Sequence, residues 1–192
     1  MRPHRQPLRR SNQERKTRGS TGTRAARLWG CVMAYSDLAD WLSTRNEAIT
    51  TLWIEAVRQE PRIQSDAVLS EAGLRDHIPA VIAEICDLLR VHQQPSIINT
   101  REARVHAYVR FRQGYRAREL VRELSLLRVT LLDQLGGLLT SGTFIIRIEN
   151  YLAVARFIDL YIDEELSYAV SVYAEVMKEK LAADASSTKE KS

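Results

Sequence analysis

Between His106 and Arg128 the chain reads HAYVRFRQGYRARELVRELSLLR, with one His, six Arg and two Glu. Imidazole, guanidinium and carboxylate are groups that exchange protons, hold anions or pair as ions. On a helix, residues three and four apart share a face. His106, Arg110, Gln113 and Ala117 then form one stripe. Glu119 and Glu123 form a second, with Arg122 and Arg128 nearby, and Leu120, Leu124, Leu127 and Leu131 form an apolar third. Two readings are open. In the first, the charges solvate a helix surface and His106 lies at or half beneath it. In the second, they form a polar cluster at a helix or subunit interface. There each buried Arg needs a carboxylate to offset its desolvation, and Glu119 and Glu123 are the first partners for Arg110 and Arg128. Gly114 weakens a helix by up to ~1 kcal/mol relative to Ala. Close approach of another backbone or a large side chain at that level is the expected reason.

Catalytic and metal chemistry find little support elsewhere. There is no Gly-rich phosphate loop, no supported Ser-His-Asp arrangement and no paired metal ligands. His4, His77, His92 and His106 fall one to a segment, and Cys31 and Cys86 lie far apart. The chain is therefore read as a non-enzyme with no cofactor and no metal site, in a reducing, cytoplasmic setting. Two alternatives keep His106 at their centre. One is a haem or small-ligand site in a helical shell. The other is a histidine phosphotransfer bundle, where a basic residue three after the His and a following Gly are usual; here Arg110 is four after and Gly114 eight after.

The elements that must position these residues read as helices throughout. The chain has 192 residues, few Gly (8) and Pro (5), and 45% hydrophobic residues, enough for one packed domain. Its net charge of +4 is misleading. Residues 1–32 hold nine Arg/Lys against one Glu, so the remainder carries 19 basic and 23 acidic residues and is mildly acidic. The segment 1–32 lacks periodicity and reads as a disordered basic tail. It suits either a nucleic-acid-binding arm or an extension upstream of a true start at Met33. No apolar run reaches the ~20 residues that span a bilayer.

Helical patterning starts at once after Met33. A first helix is predicted over 36–60 on Leu38, Trp41, Leu42, Ile49, Trp53 and Val57, with Ser36 as N-cap and Pro61 as stop. A second runs from Pro79 to His92 on Val81, Ile82, Ile85, Leu88 and Leu89. A third, long helix runs over 100–135, opened by a capping box of Asn99 and Glu102. Gly136, Gly137 and Gly142 break the pattern, and a fourth, long helix follows over 144–181, burying Phe144, Ile148, Leu152, Ile158, Ile162 and Ala169 among others. The prediction is an all-α bundle of four main helices, two of them long. The helical domain occupies 33–183, with a disordered C-terminal tail at 184–192.

The stretch HAYVRFRQGYRARELVRELSLLRVTLL resembles the central motif of the RsbRD-type N-terminal domain, the helical input domain of stressosome co-antagonists and of many bacterial sensor histidine kinases. His106, Arg110, Gln113, Gly114, Tyr115, Glu119, Glu123 and Arg128 occupy the motif positions, and the resemblance extends over about 37–178. It implies a structural and regulatory role for those eight residues. It also implies a globin-like shape without haem, a homodimer and a signalling partner such as a kinase, an anti-sigma switch or a response regulator. Contact with a membrane is not implied, and contact with nucleic acid only through the basic tail. Family members usually lead into an output domain; none follows here, so a free-standing input domain or a truncated product is expected.

Overall fold

The computed structural model describes residues 32–189 apart from 66–68 and 97–98, with side chains described as far as 179. The expected basic tail at 1–32 therefore falls, but for Val32, outside the described residues, as do 190–192 of the expected C-terminal tail. Among the described residues the fold is all-α: α1 (Tyr35–Thr44), α2 (Asn46–Gln59), α3 (Glu71–Arg75), α4 (Ile78–Arg90), α5 (Arg101–Arg112), α6 (Ala117–Thr140) and α7 (Ile148–Lys189). Two dipeptides, β1 (Val32–Met33) and β2 (Ile145–Ile146), pair in parallel, Val32 opposite Ile145. Asn150 ties that pairing to α7 by donating from Nδ2 to the Met33 carbonyl at 3.0 Å.

Helix α1 packs chiefly on α4, α2 on α6, and α7 on both α5 and α6. The apolar stripes predicted for the second and third helices are the ones buried: Val81, Ile82, Ile85 and Leu89 on α4, and Leu120, Leu124, Leu127 and Leu131 on α6 are all at most 1% exposed. Trp53 of α2 is fully buried between them and donates its indole N–H to the Glu123 carbonyl at 3.2 Å.

Where four main helices were expected, seven stand among the described residues: two of the expected four are broken, and the short α3 forms in the connector between the first and second. The first breaks at Arg45, whose N–H turns back to the Leu42 carbonyl at 3.0 Å and whose guanidinium lies 4.9 Å from the Trp41 ring. Its N-terminal acceptor is Asp37, which takes the Ala34 N–H at 2.7 Å; Ser36 lies inside the helix. The third expected helix breaks at Gln113–Arg116. Gly114 adopts φ +87°, and nothing lies within 4 Å of where its Cβ would be. Its presence is thus a matter of backbone conformation, not of the close neighbour expected. Asn99 does not cap α5: its side-chain oxygen accepts from the Ser96 N–H at 2.7 Å, and the Glu102 N–H goes instead to the Glu84 carboxylate at 3.1 Å.

The later boundary also shifts. Helix α6 continues through Gly136 and Gly137 to Thr140, and the reversal falls at Gly142, φ +65°. Helix α7 then starts at Ile148 and runs past the expected end to Lys189. Its first turns are rotated relative to the prediction. Phe144, Ile148 and Leu152 are exposed, while Val154, Phe157, Tyr161 and Ile162 face inward.

Candidate functional site

Where α5, α6 and α7 meet, the core holds polar groups. His106 and Arg110 are one helical turn apart on α5 and both point inward, 1% and 0% exposed. A buried guanidinium needs its donors satisfied and its charge matched. Arg110 Nε donates to both oxygens of Glu123 on α6, at 2.8 and 3.1 Å. Nη1 donates to the Gly73 carbonyl at 3.1 Å and to Gln113 Oε1 at 2.8 Å, and Nη2 to the Leu74 carbonyl at 2.5 Å. Short helix α3 therefore supplies backbone acceptors, and the ion pair joins three helices.

The Gln-Gly-Tyr triplet is built around the same guanidinium. Gln113 accepts from it. Gly114 takes the left-handed turn that ends α5, and Tyr115 comes back so that its N–H reaches the Arg110 carbonyl at 3.0 Å. The Tyr115 ring then lies 5.3 Å from the guanidinium carbon, within cation–π range. The turn is fixed to α7 by the Tyr173 hydroxyl, which donates to the Tyr115 carbonyl at 2.8 Å. On the far side the Arg116 N–H donates to Glu119 at 2.9 Å, opening α6.

Glu119 and Arg128 have other work than expected. Glu119 clamps the loop after α2, accepting from the Gln64 N–H at 2.8 Å and the Ser65 hydroxyl at 2.9 Å. Burial raises its carboxyl, but the hydrogen bonds from Arg116, Gln64 and Ser65 outweigh that and leave it below the usual range. Arg128 pairs with neither Glu119 nor Glu123. It crosses to α7, reaching Asp163 at 2.8 Å and Asp159 at 3.7 Å at the surface. Of the eight motif residues, Arg110, Gln113, Gly114, Tyr115 and Glu123 thus build the α5–α6 turn, Glu119 caps the helix that follows it, His106 lies two turns back along α5, and Arg128 stands apart.

Three participants were not singled out in the sequence. Glu165 of α7 is 1% exposed, with Oε1 3.9 Å from His106 Nε2; the same nitrogen is 3.7 Å from Glu123 Oε1. Neither nitrogen of His106 and neither oxygen of Glu165 has a hydrogen-bond partner. Burial, then the charges of Arg110 and His77, push the His106 imidazole well below its ordinary range. Burial, then Glu123 and Glu84, push the Glu165 carboxyl well above its own. Glu84 of α4 and Tyr161 of α7 complete the region, the Tyr161 hydroxyl donating to Glu84 Oε2 at 2.5 Å. The signal for Glu165 was its spacing: it is four after Tyr161 and four before Ala169, both buried.

This geometry bears on the alternatives raised by His106. A phosphotransfer histidine must meet a phosphoryl donor on another protein, and a ring 1% exposed does not. Cys86 is buried, and its thiol is pushed up to about 12 by that burial, which leaves it unreactive. Cys31 lies outside the described residues.

Fold and site together define an all-α domain whose signature side chains lock a turn between two helices onto a third. The family model described as the RsbT co-antagonist protein rsbRD N-terminal domain matches residues 47–187. The chain belongs to that family. No curated protein and no solved structure matches the chain.

Proposed function

We propose that this domain is a non-catalytic input module of bacterial signal transduction, of the stressosome or two-component type. It acts through dimerisation and through contact with a partner protein. The observation that carries the reading is the family match over residues 47–187. The eight motif residues then have structural and regulatory roles: Arg110, Gln113, Gly114, Tyr115 and Glu123 build the α5–α6 turn, His106 lies buried beside Glu123 and Glu165, Glu119 holds the start of α6 and the loop after α2, and Arg128 holds the α6–α7 seam.

The exposed faces of the long helices support contact with another chain. Val121 and Val129 of α6 are 39% and 51% exposed, and Gly136 extends their strip without a side chain. Leu152, Val170 and Met177 share one face of α7 and are each more than half exposed. Two-fold pairing would bring identical strips together. The partner protein is a kinase, an anti-sigma switch or a response regulator, met in the cytoplasm. No helix among the described residues is long and apolar enough to cross a membrane.

Sedimentation equilibrium of the chain at micromolar concentration tests the reading. A dimer is expected, and Val129→Glu should shift it toward monomer without lowering helix content. A chain that stays monomeric at all concentrations would overturn the dimeric part.

A further inference from the structure

His106 and Glu165 lie between α5 and α7 beside the Arg110–Glu123 ion pair, with His106 Nε2 3.7 Å from Glu123 Oε1 and 3.9 Å from Glu165 Oε1, and the four polar atoms of their side chains are buried without hydrogen bonds. The ionisable groups around them are His77 at the start of α4, Glu84 of α4, Glu102 and Arg110 of α5, Glu123 of α6 and Tyr161 of α7. Arg110 and Glu123 balance each other at 2.8 Å, and Glu84 is turned to the Tyr161 hydroxyl and the Glu102 N–H. That leaves no cation among the described residues free to offset a charge on Glu165, and Glu84 and Glu123 add to the cost of ionising it.

With two protons the pair carries one positive charge, and with none it carries one negative charge. With a single proton it is neutral, whether written as imidazole with carboxylic acid or as imidazolium with carboxylate. Burial of an uncompensated charge is strongly disfavoured, so single occupancy is the stable state. The opposed pushes on the two groups place that proton on the acid. Its O–H then faces His106 Nε2, and closing the 3.9 Å gap to about 2.7 Å makes the hydrogen bond that both groups lack.

We propose that His106 and Glu165 hold one exchangeable proton between α5 and α7, and that its loss is the stimulus the domain reports. The second half rests on the signalling-input reading; the first half does not. When the proton leaves, a carboxylate on α7 faces the Glu123 carboxylate of α6 with no added cation to balance it. The repulsion loosens α7, the helix that also carries Leu152, Val170 and Met177 on its exposed face.

Linkage makes the pair measurable. In the unfolded chain Glu165 titrates near ~4.3 and His106 near ~6.5. A carboxyl raised on folding contributes stability that is lost as pH rises from its unfolded value. An imidazole lowered on folding contributes stability that is lost as pH falls below its unfolded value. Between ~4.3 and ~6.5 folded and unfolded states each hold one proton on this pair, and the two effects cancel. Above ~6.5 only the folded state holds it, and the unfolding constant rises about tenfold per pH unit until Glu165 ionises.

The test is urea denaturation of the full chain across pH, with carboxyl carbon NMR of Glu165. Wild type should be flat between ~4.3 and ~6.5 in this contribution and lose stability above. Glu165→Gln should be flat above ~6.5 and lose stability below it, whereas His106→Gln should begin its loss near ~4.3. In wild type at neutral pH the Glu165 carbon should show the shift of a protonated acid; a carboxylate shift there, together with ring-nitrogen shifts of a neutral imidazole at His106, overturns the proton pair even if both variants fail to fold. So does an alkaline loss that persists unchanged in Glu165→Gln. Sedimentation below and above the pH at which Glu165 ionises tests the stimulus: a pH-dependent dimer constant, changing by at most about tenfold per pH unit for one linked proton, is expected. An unchanged dimer constant overturns the stimulus but leaves the proton pair. A monomer at both values overturns the dimeric reading of function instead.

Discussion

Arg110 and Arg128 each face carboxylates, but in different media. Arg110 and Glu123 are both 0% exposed; the Arg128 side chain is 28% exposed, and its partners Asp159 and Asp163 are 47% and 61% exposed. In the first place every guanidinium nitrogen has a named acceptor: a carboxylate, an amide oxygen and two backbone carbonyls. In the second, water can replace either partner. The pair at 2.8 Å looks the same in both. What differs is the cost of losing half of it. A buried charge without its partner is destabilising by roughly 3–5 kcal/mol, while an exposed pair contributes roughly 0.2–1 kcal/mol. The motif's spacing does not distinguish the two, because surroundings set the energy.

The largest expected effect breaks the buried pair. Glu123→Ala should destabilise the chain by about 3–5 kcal/mol, since it orphans the Arg110 guanidinium. Thermal or urea denaturation at neutral pH measures it. Arg110→Met with Glu123→Leu removes both charges together and should cost clearly less than the sum of the single changes. Additive losses would show that the two side chains do not act as a unit.

The next effect isolates the turn that places Tyr115 over Arg110. Gly114→Ala meets no neighbour, so its cost is that of the left-handed backbone alone, about 1–2 kcal/mol. Gly136→Ala, inside α6 and equally open, should instead be neutral or stabilising by up to ~1 kcal/mol. Equal effects of the two changes would show that Gly114 is an ordinary helical glycine.

The sequence made the apolar stripes of α4 and α6 readable, because one buried face at helical spacing leaves a period. It made the Arg110–Glu123 pair readable as one choice among several. The turn at Gly114 was not, because Leu120 to Leu131 continue the phase of a helix on the far side of it, and Gly inside a helix carries only a modest penalty. The break at Arg45 has no Gly or Pro to mark it. Glu165 sits in the acidic run DEEL, where composition suggests solvent; only its register with Tyr161 and Ala169 marks it as inward. The partners of Arg128 lie on a helix more than thirty residues away, and nothing local selects Asp159 and Asp163 over Glu119 and Glu123.

The smallest expected effect sharpens the comparison from its exposed side. Arg128 Nη2 meets Asp163 at 2.8 Å and Nε meets Asp159 at 3.7 Å, so one guanidinium bridges two acids one turn apart on α7. Each acid is about half exposed or more, and water solvates it when the guanidinium is gone. Arg128→Ala should therefore lower stability by about 0.2–1 kcal/mol. Part of that loss is aliphatic packing, because the stem of an Arg covers apolar surface. Salt separates the two contributions. Raising the ionic strength to ~1 M shortens the screening length to ~3 Å, so the ionic part of the difference between wild type and Arg128→Ala should shrink while the packing part stays. Glu123→Ala should keep its loss under the same conditions, because ions do not enter a site with no exposed surface. A loss at Arg128 comparable to that at Glu123, and insensitive to salt, would mean that the α6–α7 seam is closed to water, as it would be beneath a second copy of the chain.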